Sequence, residues 1–564
     1  MSPGKAQVTK KRILILGGGF GGVYVALHLG KMLSPAELEG TEIALVNRDN
    51  YIVFQPLLAD AISGSVELSH VIAPIRRMAP RAHLYTRDIE SIDPIARTVT
   101  LSPGVRPTTL SLNYDHLVIA MGTRLDHGKI PGMHEHASPF KYLGDALFLR
   151  NQLVRMLEEA EAERDPEIRK RLLTFVVAGG GFSGIRCIAE MNEFLREAVS
   201  VYHNIVERDL RLILLQRSDR ILPEVTASLA SFAHKLLAKR GVEIRLGAEL
   251  KAVTANAVTV EDRRTHQMEV ISTRTAVATA PAAPHPILTA LPLPQNNGRI
   301  VVDQTTEVPG WPQVWAIGDC AEIKQADGKI SPATADHAMR QAKACAQNIV
   351  ASCRGASKKH FRFTGLGRLG SLGRRSAVAE ILGFRFKGIF AWLLWRGAYV
   401  TKFPGLDGQL RVIADWLLDA FLPCDITQLR IFHGEAVHRE HFEAGETVFA
   451  TGDFGDKVYF IVQGEAEVER NGERVAKLHA GDVFGEAALI SNQPRNATIR
   501  VSSHLDTVAV SRNAFQQLLV HLPGLSNTMQ ELMSDRIKVG EDLKELVRKA
   551  NSLGYDSALT DRPR

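Results

Sequence analysis

The stretch Ile13-Leu14-Ile15-Leu16-Gly17-Gly18-Gly19-Phe20-Gly21-Gly22 is an apolar strand that runs into a glycine turn of the form G-x-G-x-x-G. A helix-like run follows it. The same design returns 162 residues later (17 to 179) as Phe175-Val176-Val177-Ala178-Gly179-Gly180-Gly181-Phe182-Ser183-Gly184. In this arrangement backbone N–H groups and a helix N-terminus hold a pyrophosphate. One match is a weak signal. Two in this context point to two dinucleotides bound by one chain.

Around these turns the chain alternates strands and helices. A second strand, Ile43-Ala44-Leu45-Val46, follows the first turn, and 112–122 reads as a strand ending in a small-residue turn. A second βαβ unit opens at Leu172 and runs to about residue 281. Residues 280–294 read as a crossover, after which the chain returns through Val314-Trp315-Ala316-Ile317-Gly318-Asp319. Beyond Phe442 short strands alternate with glycine turns, the texture of a β-roll or jelly roll. The expected fold class is α/β: two Rossmann-like dinucleotide-binding domains plus a C-terminal β-roll. The expected domains are 10–145 with 285–365, 146–284, a basic aromatic segment 366–430, the roll at 431–530, and a tail 531–564 that is helical over about 527–552.

At 564 residues the chain has room for three or four domains. Apolar content of 45% and charged content of 23% are ordinary for a globular protein. No secretory segment and no run of about 18 apolar residues is present, so a cytoplasmic location is expected. The five cysteines, Cys187, Cys320, Cys345, Cys353 and Cys424, show no CxxC and no metal-ligand spacing. Free thiols and no metal site are expected, and His438 and His441 read as surface residues. The net charge of +6 is concentrated: residues 362–411 hold nine Lys and Arg against Glu380 and Asp407, which gives +7 for that window alone.

With its partner segments, the first turn resembles the two-dinucleotide-binding flavoprotein family. These segments are the turn Ala120-Met121-Gly122 and the pair Gly318-Asp319. The phrase Asn50-Tyr51-Ile52-Val53-Phe54-Gln55-Pro56-Leu57-Leu58 narrows the resemblance to type II NADH:quinone dehydrogenases, over residues 11–428. The resemblance implies FAD at Gly17, Gly19, Phe20 and Gly22, with Asp319 on the ribityl chain. It also implies a non-proton-pumping NADH:quinone oxidoreductase, peripheral on the inner face of the membrane. An acid that normally ends the second strand is replaced by Asn47, followed by Arg48; an amide still accepts a hydrogen bond but carries no charge.

By position Gly179, Gly181 and Gly184 hold NADH or NADPH. The next strand ends in Gln216-Arg217, where NADH sites usually carry an acid. The family likeness favours NADH, and NADPH stays open. The family pattern also places Glu at position 186, near flavin and nicotinamide; this chain has Arg186. A cation there favours an anionic reduced flavin. The alternative is an Arg186 that points to solvent or pairs with Glu190 one turn on. In Pro332-Ala333-Thr334-Ala335-Asp336-His337-Ala338-Met339-Arg340, Asp336 and Arg340 stand where the family's quinone site has Gln. His337 is the candidate for proton delivery. Sulfide chemistry would need paired cysteines, and the surroundings of Cys187 and Cys345 do not match it.

The segment 388–422 is aromatic, basic and amphipathic. In the stretch 409–422 Arg411, Asp415 and Asp419 share one face, and Leu410, Ile413, Leu417 and Phe421 the other. That pattern suits a helix lying on a membrane surface, with a surface helix or a homodimer contact as the alternative. No nucleic-acid recognition motif accompanies the charge. In the C-terminal region, Phe484-Gly485-Glu486 followed by Pro494-Arg495-Asn496-Ala497-Thr498 resembles the cyclic-nucleotide-binding domain and its phosphate cassette. Arg495 would fork onto a cyclic phosphate, Glu486 would accept the ribose 2′-OH, and Gly485, Asn496, Ala497 and Thr498 complete the cassette. The choice between cAMP and cGMP is open. The sequence thus reads as a FAD-dependent NAD(P)H:quinone oxidoreductase tuned by a cyclic nucleotide. The alternative is a catalytically impaired flavoprotein acting as a cyclic-nucleotide or redox sensor, supported by Arg186, Asp336 and Arg340.

Overall fold

A computed structural model describes residues 10–102, 109–125, 130–279, 282–325, 328–363, 367–428, 437–453, 455–470, 472–491, 494–512 and 514–515. The N-terminal residues 1–9, residues 280–281 and 429–436 at two expected boundaries, and the tail expected to be helical lie outside the described residues. The chain forms two compact units. One comprises residues 1–126, 138–247 and 277–427, and the other 127–137, 248–276 and 428–564.

The first unit is built on two parallel sheets. In the first sheet the strand order is Val314–Ala316, His116–Ile119, Lys11–Leu16, Thr41–Asn47, His83–Thr86. Ile13 and Ile15 enter one buried cluster, Leu14 and Leu16 another. Both faces of this strand are therefore covered, which is why it reads as an unbroken apolar run rather than an alternation. The helix Phe20–Met32 that follows packs against Ala335–Cys353. In the second sheet Thr174–Ala178, Arg211–Gln216 and Val242–Leu246 run parallel, with Thr275–Ala278 on the other side of Thr174–Ala178. The helix Phe182–Ala198 leaves its glycine turn as Phe20–Met32 leaves the first. A Cβ at Gly22 would lie 1.9 Å from Gly17 O, and one at Gly184 would lie 1.8 Å from Gly179 O. Only glycine lets the helix come this close to the turn.

The second unit holds a three-stranded antiparallel sheet, Ala248–Val253, Ala257–Asp262 and Met268–Ser272. It also holds the roll expected near the C-terminus, made of two four-stranded antiparallel sheets. One contains Val437–Phe442, Leu505–Ser511, Lys457–Gln463 and Val483–Phe484; the other Thr447–Phe449, Thr498–Val501, Ala466–Arg470 and Glu473–Leu478. Phe442, Tyr459, Phe484 and Leu505 fill the space between them, and the Tyr459 and Phe484 rings stack 5.0 Å apart.

The first unit also buries acids. Glu190, on Phe182–Ala198, accepts from Ser63 Oγ at 2.7 Å. Glu190, Glu193, Ser63 and Asp60 border a cavity of about 30 Å³, room for one water. Burial, with Asp60 and Glu193 nearby, holds the Glu190 carboxyl well above 4.5, and burial pushes Glu193 up to about 7. A carboxyl raised on folding binds more protons in the native chain than in the unfolded one. Its stabilising contribution is complete below 4.5 and is lost as pH rises through the raised native value, about 7 for Glu193. Glu190→Gln keeps an acceptor for Ser63 and removes the cost of ionising a buried acid. Thermal scans should show it melting above the wild type at about pH 8 and converging on it toward about pH 5; two parallel pH profiles would exclude this origin.

Candidate functional site

The two glycine turns are held alike. In the first, Gly18 N donates to Asn47 Oδ1 at 2.8 Å, and Asn47 Nδ2 donates to Asp49 O at 2.8 Å. In the second, Gly180 N donates to Gln216 Oε1 at 2.7 Å, while Gln216 Nε2 donates to Ser218 Oγ and, at 3.3 Å, to Arg220 O. An amide at the end of the neighbouring strand therefore fixes the middle glycine of each turn. Neither turn helix has a side-chain N-cap or an acid in its first turn. By contrast, Pro35–Glu39, Pro166–Leu172 and Ala335–Cys353 are capped by Ser34, Asp165 and Thr334. An uncapped helix N-terminus carries positive partial charge and unsatisfied donors, which is the electrostatic half of a pyrophosphate site. The residues present fit one dinucleotide at each turn.

The partner segments of the first turn come together around it. A Cβ at Gly17 would lie 2.4 Å from Ala120 O, so the Ala120–Gly122 turn abuts the glycine turn. Gly318 N donates to Gln341 Oε1 at 2.8 Å, and Gln341 Nε2 donates to Ser331 Oγ at 3.0 Å. Asp319 next to it is raised by burial and opposed by the charge of Lys141. Lys141 in turn is hydrogen-bonded to Thr123. Arg48 is paired with Asp88 at 3.0 Å. Gln341 and Lys141 escaped the sequence reading. For Gln341 a signal existed: it lies one helical turn from His337, on the same face.

Arg186 is buried, at 9% exposure. Its Nη2 donates to Asp60 Oδ2 at 2.6 Å, and its guanidinium lies 4.8 Å above the Trp395 ring. This corrects the expected alternatives of solvent or Glu190. The hydrogen-bonded partner is Asp60, 126 positions away in sequence, while Ser63 holds Glu190. Burial raises the Asp60 carboxyl, and Arg186 and Arg396 oppose that shift. A buried pair of this kind persists only with good geometry, and removing one partner leaves an uncompensated charge. The cation introduced at position 186 is thus answered locally. A row of rings runs from the first turn toward Trp395: Phe20 to Phe54 at 5.7 Å, Phe54 to Tyr399 at 6.2 Å, and Tyr399 to Trp395 at 5.2 Å.

Asp336 and His337 open the helix Ala335–Cys353. Asp336 pairs with Lys402 at 3.2 Å. His337 Nδ1 lies 2.8 Å from Thr334 Oγ1, and among the described residues its buried Nε2 has no hydrogen-bond partner. Burial lowers its pKa, so the imidazole is neutral near pH 7. Arg340 lies 5.2 Å over the Phe363 ring, which His337 also meets at 5.0 Å. Cys187 and Cys345 are free and buried, and burial raises both thiols; neither is a ready thiolate.

The amphipathic helix expected at 409–422 spans Leu406–Leu418. Its apolar side faces outward: Leu410 is 66% and Leu417 59% exposed. Asp415 turns inward instead, accepting from Glu67 N at 3.0 Å and facing His70 Nδ1 at 2.7 Å. The preceding helix Gly388–Lys402 exposes Ile389, Phe390 and Leu393.

In the roll, Arg495 is buried. Its Nη1 donates to Gly485 O at 2.6 Å, its Nη2 donates to Lys457 O at 2.8 Å, and its guanidinium stacks 4.0 Å over Phe449. Arg495 and Gly485 thus meet, with Arg495 turned onto backbone carbonyls rather than standing open; among the described residues its Nε has no hydrogen-bond partner. Glu486 opens the helix Glu486–Ser491, Asn496 is exposed, Ala497 is buried, and Thr498 Oγ1 accepts from Thr451 N at 3.0 Å. His441 is not a surface residue as expected: it is buried and paired with Asp506 at 2.6 Å. His438 is half-buried beside Glu440.

Comparison with known proteins follows this division. The family described as pyridine nucleotide-disulphide oxidoreductase matches residues 11–342, the NDH2 C-terminal domain 366–423, and the cyclic nucleotide-binding domain 439–521. A demethylphylloquinone reductase from Synechocystis is 31% identical over 411 residues, covering 72% of this chain and 96% of the relative. A type II NADH:quinone oxidoreductase from Mycobacterium tuberculosis is 29% identical over 446 residues, covering 77% and 93%. The solved structure of NDH2 from Plasmodium falciparum in complex with NADH shares the fold, with a TM-score of 0.68 at 18% identity over 74% of this chain and all of that one. The twinned turns, the segment behind them and the roll place this chain in the pyridine nucleotide-disulphide oxidoreductase family, as a type II NADH:quinone oxidoreductase with a cyclic nucleotide-binding domain.

Proposed function

We propose that this chain oxidises a reduced nicotinamide dinucleotide held at the second turn and reduces a quinone, with FAD held at the first. The observation that carries this is the pair of uncapped turn helices, each with its middle glycine fixed by a strand-end amide. Gly17, Gly19, Phe20, Gly22, Asn47, Ala120, Gly122, Gly318 and Asp319 would hold the FAD. Bound there, FAD would supply a hydride acceptor for the nicotinamide and an electron donor for the quinone. Gly179, Gly181, Gly184 and Gln216 hold the nicotinamide dinucleotide. Reduction of a quinone by NADH consumes one proton from solvent, and His337 would pass it; among the described residues its buried Nε2 has no hydrogen-bond partner, which supports this role. Arg186, tied to Asp60, sets the charge beside the site, and Asp336, tied to Lys402, positions the helix that carries His337. Anaerobic addition of NADH or NADPH to the FAD-loaded chain should bleach the flavin band near-stoichiometrically, and a soluble quinone should restore it. No bleaching with either dinucleotide would end the enzyme reading. Bleaching without reoxidation would favour the sensor.

The chain works at a membrane surface, on the cytoplasmic side where reduced nicotinamide is supplied. Among the described residues no helix is long and apolar enough to cross a membrane. Support for peripheral binding is the outward apolar side of Gly388–Lys402 and Leu406–Leu418, flanked by Arg385, Lys387 and Arg411. Apolar side chains enter the interface while cations meet anionic headgroups. The full chain should co-sediment with vesicles containing anionic lipid. Phe390→Ser with Leu410→Ser should release most of it, and unchanged sedimentation of that variant would exclude this face.

The roll binds a cyclic nucleotide monophosphate through Gly485, Glu486, Arg495, Asn496, Ala497 and Thr498, and its occupancy tunes the oxidoreductase. Coupling of about 1–3 kcal/mol is typical of such effectors. Calorimetry with cAMP and cGMP should show saturable heat for at least one of them, abolished in Glu486→Ala; absence of binding by both removes the regulatory role.

A further inference from the structure

The unit that holds the roll also contains residues 127–137, which lie in sequence between the two glycine turns. Its helix Met133–His136 lies against the roll strand Val437–Phe442. His136 Nε2 donates to His441 O, and the His136 ring meets Phe442 edge-on at 6.3 Å. The His441 ring is held in turn by Asp506 at 2.6 Å. Just before the helix, Val253 N donates to Pro131 O at 2.9 Å. Gly132 is buried at φ +69°, where a Cβ would lie 1.8 Å from Val253 O and 3.3 Å from His441 Cδ2. Only glycine fits there. This segment is thus clasped between the roll and the strand Ala248–Val253.

From the clasp, packed rings lead to the cassette. Phe442 meets Tyr459 at 6.3 Å, and Tyr459 meets Phe449 at 6.1 Å. Phe449 carries the Arg495 guanidinium at 4.0 Å. Tyr459 shares its strand with Lys457, whose carbonyl accepts from Arg495 Nη2. Close-packed rings do not shift singly. A phosphate that draws Arg495 from Lys457 O therefore acts on the strand and rings that reach Phe442, the ring against His136. In the other direction the chain passes from His136 straight into Ala137–Pro139, the strand beside Thr275–Ala278 in the sheet of the second turn. Five positions past His136 stands Lys141. Its Nζ donates to Thr123 O and, at 3.2 Å, to Thr123 Oγ1, next to Gly122. Burial raises the Asp319 carboxyl, and the charge of Lys141, ahead of that of Arg299, opposes it.

We infer that residues 132–141 are the coupling element of this chain: the roll grips them at His136, and their far end sets Lys141 beside Asp319, so that a cyclic nucleotide in the roll is read at the flavin site. The inference rests on the proposed function, which gives the roll its nucleotide and the first turn its FAD. His136 touches neither ligand and acts as a positioning residue. The connection is covalent from His136 to Lys141, so a movement of the clasp has no slack loop in which to dissipate before the strand Ala137–Pro139. Coupling between two sites requires an element that both of them bias, and this segment is bonded at one end to the roll and at the other to the first turn's partner segment.

The test uses the full FAD-loaded chain with cAMP and with cGMP, read by calorimetry, by hydrogen exchange and by the visible flavin spectrum. Whichever nucleotide binds should change amide exchange within 133–141 by about fivefold or more and shift the flavin band. His136→Phe keeps a ring against Phe442 and removes the N–H. It should bind the nucleotide within about tenfold of the wild type and lose both responses. His136→Gln, whose amide N–H can reach the same carbonyl, should restore most of them. Lys141→Met acts at the other end: exchange at 133–137 should still respond, and the flavin band should not. Nucleotide binding with no change in exchange at 133–141, or responses in His136→Phe equal to those of the wild type, overturns the inference and leaves nucleotide binding and the oxidoreductase standing. Failure of both nucleotides to bind the wild type overturns the regulatory part of the proposed function itself, and the inference with it.

Discussion

Two carbonyl oxygens, those of Gly17 and Gly179, leave no volume for a side chain one helical turn further on, at Gly22 and Gly184. Close approach of helix to turn is what aims each helix N-terminus at the end of its parent strand. The strand supplies rigidity because its residues are buried on both faces, and the helix supplies donors because no side chain among the described residues caps them. The sheet order around Lys11–Leu16 then brings His116–Ile119 and Val314–Ala316 alongside, so that Ala120–Gly122 and Gly318–Asp319 emerge at the same edge. The ligand-facing groups depend on that one steric allowance.

Features carried by contiguous residues were legible in the sequence. The strand–turn–helix units, the roll and its cassette residues all announce themselves through local pattern, because strand burial and turn conformation are decided within about ten residues. The partner of Arg186 was not legible. Sequence spacing offered Glu190 on the same helix, but the arginine reaches Asp60 on a different element, and only the packing of Phe182–Ala198 against Asp60–Ser63 makes that pairing. His441 was misread for the same reason, since its burial and its bond to Asp506 arise between paired strands.

The helix Leu406–Leu418 shows a further limit. An amphipathic pattern states that two faces differ, not which one the protein covers. Here Asp415 finds His70 and a backbone N–H inside, while Leu410 and Leu417 are left outside. The first unit buries the Arg186–Asp60 pair and the Glu190 carboxyl and displays apolar surface along 388–418. Each buried charge is matched by a specific partner; the apolar surface is the part left to be covered by something else.

Arg495 carries a consequence for the thermodynamics of the roll. Its two terminal nitrogens already donate to the carbonyls of Gly485 and Lys457. A phosphate that reaches this arginine exchanges one set of acceptors for another, so the net gain is the difference between two charge-assisted arrangements. The same exchange frees the carbonyl at the start of Lys457–Gln463 and the one that precedes Glu486–Ser491. A phosphate bound there would therefore alter backbone contacts on two separate elements, the turn before Glu486–Ser491 and the strand Lys457–Gln463.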